Sequence, residues 1–235
     1  MLRVDNLSVR ILKNISFTLG EGEHLSILGA NGSGKTTLAR ALCALLPSEA
    51  VTYGGRAASA LSPRVRGETF NFIPARLDLY DEYLGVSDYL SLNAPLEEEK
   101  IDSVLEQLEI SHLKTSRCSD LSSGESALLM VAGGMLRRSR YTIFDEPTAN
   151  LDSKNKVKLY RLLKHSPLFT HRIVITHDLN LAYRLGSHIL YLEGGEERFF
   201  GTCETFFAPD NLERCFGGSI TRSGEHFMVG YDEIR

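Results

Sequence analysis

The run Gly29-Ala-Asn-Gly-Ser-Gly-Lys-Thr36 has the spacing G-x-x-x-x-G-K-[ST] and constrains this chain more than any other stretch. It follows the apolar run 25–28, which reads as a strand, and precedes a helical pattern over 35–46. A strand, a glycine turn and a helix start in that order gather successive N–H groups around one phosphate. Glycine supplies the positive φ this needs, and the helix aims its positive end at the same charge. Lys35 is then placed to reach the β and γ phosphates of a nucleoside triphosphate, and the Thr36 hydroxyl to ligate Mg²⁺. Gly29, Asn31, Gly32, Ser33, Gly34, Lys35, Thr36 and Thr37 are the candidate phosphate-binding residues. The alternative is a glycine-rich turn that only caps a helix.

A second element must complete such a site. Residues 141–146, Tyr-Thr-Ile-Phe-Asp-Glu, read as a strand ending in two acids. Asp145 can hold Mg²⁺ through water, and Glu146 can polarise the water that attacks the γ phosphate. Asp-Glu-Pro is also a fair helix start, so a purely local role stays open.

Further strands are expected at 2–7, 15–19, 70–73, 173–176 and 189–192, with helices at 155–165 and 179–185. That alternation predicts an α/β fold with parallel strands. Between 75 and 138 the pattern turns helical, over 86–92, 96–108 and 126–136, and reads as an insertion. After Gly194 short strands and turns return, with a helical stretch at 211–216. The expected division of the 235 residues is a core of 1–75 and 139–235 and a helical subdomain of 76–138. A net charge of −4 argues against a broad nucleic-acid surface, so no nucleic-acid partner is expected. Cys43, Cys118, Cys203 and Cys215 lack metal-ligand spacing, which points to reduced thiols in a cytosolic compartment. No apolar signal core opens the chain, and no run reaches the roughly 18 to 20 apolar residues of a membrane span. A membrane role therefore needs a separate spanning partner.

Leu121-Ser-Ser-Gly-Glu125, Ala149-Asn-Leu-Asp152 and Ile175-Thr-His-Asp178 flank the 145–146 pair in an order that, with the phosphate loop, resembles the ATP-binding cassette family over nearly the whole chain. The resemblance implies a P-loop NTPase core with a mixed, mainly parallel sheet, an antiparallel β subdomain and an inserted helical subdomain. It implies a homodimer with two ATP molecules between its halves, each joining Lys35 of one copy to Ser122, Ser123 and Gly124 of the other. Lys35, Glu146 and His177 become the catalytic residues, Thr36 and Asp145 the Mg²⁺ ligands, and Asp152 a contact to the second copy. Taken singly, Ser122 and Ser123 also suit a helix cap, Asn150 and Asp152 a helix start, and His177 a polar strand end.

The pattern departs from the family in three places. Ala75 stands where the family has Gln, which implies weaker Mg²⁺ affinity or transport coupling unless Arg76 or Asp78 substitutes. No aromatic residue follows the first strand to stack on adenine; Arg10 is either a planar substitute or a surface charge, and ATP is expected to be only modestly preferred to GTP. Ser123 replaces a glycine and Glu125 a Gln, which adds bulk where the second copy's phosphate approaches. The resemblance implies the ATP-hydrolysing subunit of an importer, bound to an integral-membrane permease at the cytoplasmic face, with an extracytoplasmic substrate-binding protein in the same system. An exporter subunit and a non-transport cassette acting on nucleic acid or ribosomes are the alternatives. The tail 201–217 resembles the segment of importers of ferric siderophores, haem and cobalamin, though it suits any edge-packing helix. Residues 76–92, with Tyr80, Tyr83 and Tyr89, are either a permease-docking segment or an ordinary aromatic cluster.

Overall fold

The computed structural model describes residues 1–77, 81–92 and 98–230. In chain order the strands and helices begin β1 Leu2–Val9, β2 Leu12–Leu19, β3 Leu25–Gly29, α1 Lys35–Leu42, β4 Val51–Tyr53, β5 Arg56–Ala57, α2 Pro63–Thr69 and β6 Phe70–Ile73. They continue with α3 Val86–Leu92, α4 Glu98–Gln107, α5 Ser123–Arg137, β7 Tyr141–Asp145, α6 Ser153–His165, β8 His171–Ile175 and α7 Leu179–Leu185. The last are β9 His188–Glu193, β10 Glu196–Gly201, α8 Cys203–Phe206, α9 Pro209–Phe216, β11 Ile220–Ser223 and β12 His226–Val229. The chain divides into two compact units, Met1–Leu61 with Ile173–Arg235, and Ser62–Arg172. The expected α/β class with a mixed sheet is what the structure shows.

In the first unit the strand order is β5-β4-β1-β2-β10-β9-β3-β8. Its antiparallel part follows from alternation: Leu2, Val4 and Leu7 are buried on β1 while Arg3 and Asp5 are exposed. They pair with Leu19, Phe17 and Ile15 of β2, and the register slips between Val4 and Leu7, where Asn6 takes a φ of 52°. The parallel part follows from continuous burial. Leu25, Ser26, Ile27 and Leu28 of β3 are all buried, as a strand covered on both faces requires, and β3 pairs in parallel with both β8 and β9.

A separate two-stranded sheet, β11 with β12, closes the described part of this unit. Phe227 joins Phe206, Phe207, Tyr191 and Leu212 in one buried cluster. The Asn180 side chain pins it, donating from Nδ2 to the Phe227 carbonyl at 3.0 Å and accepting the Phe227 N–H on Oδ1 at 2.9 Å. One side-chain amide thus does what a neighbouring strand would do. Asn180→Ala removes both bonds, so the Phe227 amide is expected to exchange its hydrogen about tenfold faster. Mass-spectrometric exchange on a peptide covering 220–229 reads this directly, and an unchanged rate would show that the bonds hold nothing.

The second unit pairs β6 with β7 in parallel and packs helices around them. Helix α5 is buried continuously from Ala127 to Met135, and a Cβ on Gly134 would lie 2.4 Å from Ile73 Cδ1, so small residues let it lie directly on β6. Helix α6 is amphipathic, with Leu159, Leu162 and Leu163 inward. The expected helices 86–92 and 179–185 have the bounds of α3 and α7, 35–46 shortens to α1, and the described part of 96–108 is helical as α4 up to Gln107. Residues 96 and 97 of the latter, with Asp78 and Tyr80, lie outside the described residues. None of the four cysteines is in a disulfide, and burial pushes Cys118 and Cys215 above the usual thiol range.

Candidate functional site

The phosphate loop lies where β3 ends. Gly29 has φ +151°, and a Cβ there would lie 2.3 Å from the Leu192 carbonyl oxygen of β9. Gly32 and Gly34 follow at φ +80° and +102°, and Gly34 is the left-handed N-cap of α1. The loop closes on itself through Ser33 N–H to the Ala30 carbonyl at 3.2 Å. Lys35 is buried, and its Nζ donates to the carbonyls of Gly29 at 2.7 Å and Ala30 at 2.9 Å. A phosphate oxygen is a charged acceptor and a stronger one than those carbonyls. No acidic side chain occupies the first turn of α1, so the helix start favours an anion. Ser33 Oγ is buried with no hydrogen-bond partner among the described residues, the kind of orphaned polar atom a phosphate would satisfy.

The tip of the β1–β2 hairpin lies over this loop. A Cβ on Gly34 would lie 2.6 Å from Leu12 Cδ2 and 3.3 Å from Ile11 Cγ2, so the glycine is needed for close approach as well as for its φ. Leu12 is buried but Ile11 is 43% exposed. Arg10, the candidate stacking group, is exposed with a φ of 53° in the turn itself. Sequence reasoning sought an aromatic here and overlooked the aliphatic pair. The only signal for it is a bulky apolar residue at an exposed hairpin tip.

His177 belongs to the same unit. The register Ile27↔Ile175 and the bond from Thr176 N–H to the Ile27 carbonyl, 3.1 Å, place exposed His177 level with Gly29 at the carboxyl ends of adjacent parallel strands. Asp178 beside it caps α7, accepting from Leu181 N–H at 3.0 Å.

The remaining candidates belong to the second unit. β7 ends at buried Asp145, and Glu146 follows with φ 48°, a left-handed conformation uncommon outside glycine and concentrated at functional sites. The pairing of β6 with β7 runs to Ile73↔Phe144, and Ala75 and Glu146 each follow the end of their strand. Arg76 is exposed.

Ser122 caps α5 in a full capping box with Glu125. Gly124 packs on the next turn, where its Cβ would lie 3.3 Å from the Asn150 carbonyl. Ser122, Ser123 and Gly124 therefore sit by the turn that leads into Asp152, and Ser122, Ser123 and Asp152 are exposed. Asp152 caps α6, accepting from Asn155 N–H at 2.8 Å. Both cap roles foreseen for Ser122 and Asp152 are thus present, and both residues face solvent.

The family described as "ABC transporter" matches residues 12–149. That span contains the phosphate loop, residues 121–125 and the Asp145-Glu146 pair. A putative ABC transporter ATP-binding protein of Treponema denticola is 32% identical over 199 residues, which is 80% of this chain and 39% of that protein. The chain spans about two-fifths of the length of the curated relatives it matches. Among solved structures, CbiO1 from Clostridium perfringens, part of the ABC transporter complex CbiONQ, is 25% identical with a TM-score of 0.74, covering 91% of this chain and 92% of its own. The ATP-binding cassette MJ0796, solved as a dimer after hydrolysis with ADP and phosphate, shares the fold at 24% identity and a TM-score of 0.76, covering 86% of this chain and 99% of its own. Among the described residues no helix is long and apolar enough to cross a membrane.

Proposed function

We propose that this chain, which belongs to the ABC transporter family, binds and hydrolyses ATP as one half of a two-copy sandwich and so drives a separate membrane permease. The observation that carries this reading is the phosphate loop itself. Three glycines with positive φ and a buried Lys35 stand between a fully buried strand and a helix start that carries no acid. Lys35 leaves the two loop carbonyls for the β and γ phosphates, while N–H groups from 29–37 surround them. Thr36 and Asp145 are the residues that would hold Mg²⁺ through hard oxygen donors, and the ion would supply positive charge to offset that of the triphosphate. Glu146 takes a proton from the attacking water, and His177 holds that water and the γ phosphate. Ser122, Ser123 and Gly124 of a second copy close the site over the γ phosphate, with Asp152 at the contact between copies.

By role we divide the chain into a catalytic core, 1–75 and 139–235, and a helical subdomain, 76–138, a division distinct from the two compact units of the structure. We place it at the cytoplasmic face of the membrane in an importer of the iron-siderophore, haem and cobalamin group, served by an extracytoplasmic binding protein. Supporting this is the tail, where residues 203–216 form the two short helices α8 and α9 against the aromatic cluster. Likeness to CbiO1 over nearly its full length agrees with a transporter part. The test is phosphate release from Mg-ATP by the purified chain, with sedimentation in the presence and absence of ATP. Failure to bind nucleotide ends the reading. Co-purification with a permease checks the transport assignment.

Ile11 takes the place of the missing aromatic platform beside the loop. A flat ring there adds stacking worth about 0.5–1.5 kcal/mol. Ile11→Tyr is therefore expected to tighten ATP about three- to tenfold, measured by titration calorimetry. An unchanged affinity would put adenine elsewhere.

A further inference from the structure

We propose that Glu125 is a positioning residue that holds the Ser122 hydroxyl turned into its own helix, so that pairing of two copies around ATP must first release it. The proposal rests on the reading of Ser122 as a γ-phosphate donor to a second copy, and it concerns how that donor is kept back.

The geometry at the start of α5 fixes where each proton goes. Ser122 Oγ donates to Glu125 Oε2 at 2.6 Å, and Ser122 N–H donates to the same oxygen at 2.9 Å. In return Glu125 N–H donates to Ser122 Oγ at 3.3 Å. A hydroxyl has one hydrogen, and here the carboxylate takes it. Ser122 thus presents lone pairs to an arriving phosphate oxygen. A short bond to a charged acceptor is about twice as strong as a neutral one, so it is not given up readily. The hydroxyl and N–H of Ser122 hold the Glu125 carboxyl below the usual carboxylate range, with a further contribution from His112, so it is ionised at neutral pH.

The same carboxylate adds a negative charge beside the place an anion must enter. Among the described residues its only ion-pair neighbour is His112, whose Nε2 lies 3.8 Å from Oε1. The N–H groups of Ser123 and Gly124 have no acceptor among the described residues, so they remain as donors while the hydroxyl does not. Glutamine at 125 would keep the capping box, since either residue type completes it. It would turn the hydroxyl bond from charge-assisted to neutral and remove the charge. Glu125 therefore caps the helix no better than glutamine would, and it restrains closure where glutamine would not.

The experiment uses the full chain in a Glu146→Gln background, so that ATP is not turned over. Sedimentation with Mg-ATP gives the dimer dissociation constant, and titration at low protein concentration gives ATP affinity of the single copy. Glu125→Gln is expected to tighten the dimer about tenfold, the difference between a charged and a neutral hydrogen bond. Single-copy ATP affinity and thermal midpoint should stay as they were. With Ser122→Ala also present, the gain from Glu125→Gln should shrink, because no hydroxyl remains to release. A structural cap alone would leave the dimer constant in place, because glutamine completes the same capping box. Equal or weaker pairing in the Glu125→Gln chain overturns the proposal while single-copy ATP binding stands. Absence of single-copy ATP binding in the parent chain overturns the ATPase reading and this proposal with it.

Discussion

On the proposed reading, Glu146→Gln is expected to lower the rate of ATP hydrolysis by about 100- to 10,000-fold, the span typical of a lost general base, and to leave ATP bound in a long-lived dimer. The substitution exchanges one carboxylate oxygen for an NH₂ group and nothing else. Shape is kept, and so is the capacity to tolerate the left-handed conformation at φ 48°, which Gln adopts no less readily than Glu. The Ala149 N–H still meets the backbone carbonyl of residue 146 at 3.1 Å, so the turn after β7 survives. What is lost is the ability to accept a proton from water. Phosphate release in a single turnover separates this from a binding defect, because only the chemical step should slow. A variant that hydrolyses at the parent rate would remove Glu146 from the chemistry and pass its role to another carboxylate.

Local signals were readable wherever one short stretch settles the structure. The strand and helix around the phosphate loop follow from an apolar run, glycines and spacing. Helix α7 was bounded correctly at 179–185 because a capping Asp178 precedes it and Gly186, left-handed at φ 64°, ends it. Helix α5 begins at Ser123, three residues before the expected 126, although Ser122 and Glu125 spell a capping box. Helix α1 stops at Leu42 because Ala44 turns left-handed at φ 53°, a conformation that nothing in Leu-Cys-Ala-Leu announces. Helix α2 went unforeseen: Ser62 and Pro63 mark a good start, but Gly67 and sparse apolar residues hid the rest.

Contacts between distant segments left no such trace. That Ile11 covers Gly34 and that Asn180 pins Phe227 both depend on how distant segments pack, which sequence spacing does not encode. The proposed site residues were chosen on the opposite ground. Their chemistry needs particular side chains at fixed local separations, and the chain carries those separations on its face.

Gly29→Ala tests whether β9 buttresses the phosphate loop as the structure has it. Two costs meet at this position. The backbone sits at φ +151°, which an L side chain adopts only under strain of about 1–3 kcal/mol. The new methyl would also lie 2.3 Å from the Leu192 carbonyl oxygen, and a backbone atom held in a parallel pair cannot swing aside. Forced repacking adds about 1–3 kcal/mol. Together they amount to roughly 2–6 kcal/mol, which corresponds to a fall in melting temperature of about 5–20 °C for a chain of this size. Gly32→Ala is the internal control. Its φ of +80° is strained, but nothing lies within 4 Å of the added Cβ, so it should cost no more than about 1–2 kcal/mol. The ordering matters more than either value. If both variants melt together, Gly29 does not stand against Leu192, and the loop is set by its own glycines alone. If Gly29→Ala melts far below Gly32→Ala and loses ATP binding too, then the strand that carries Leu192 fixes the loop whose Gly29 carbonyl Lys35 holds.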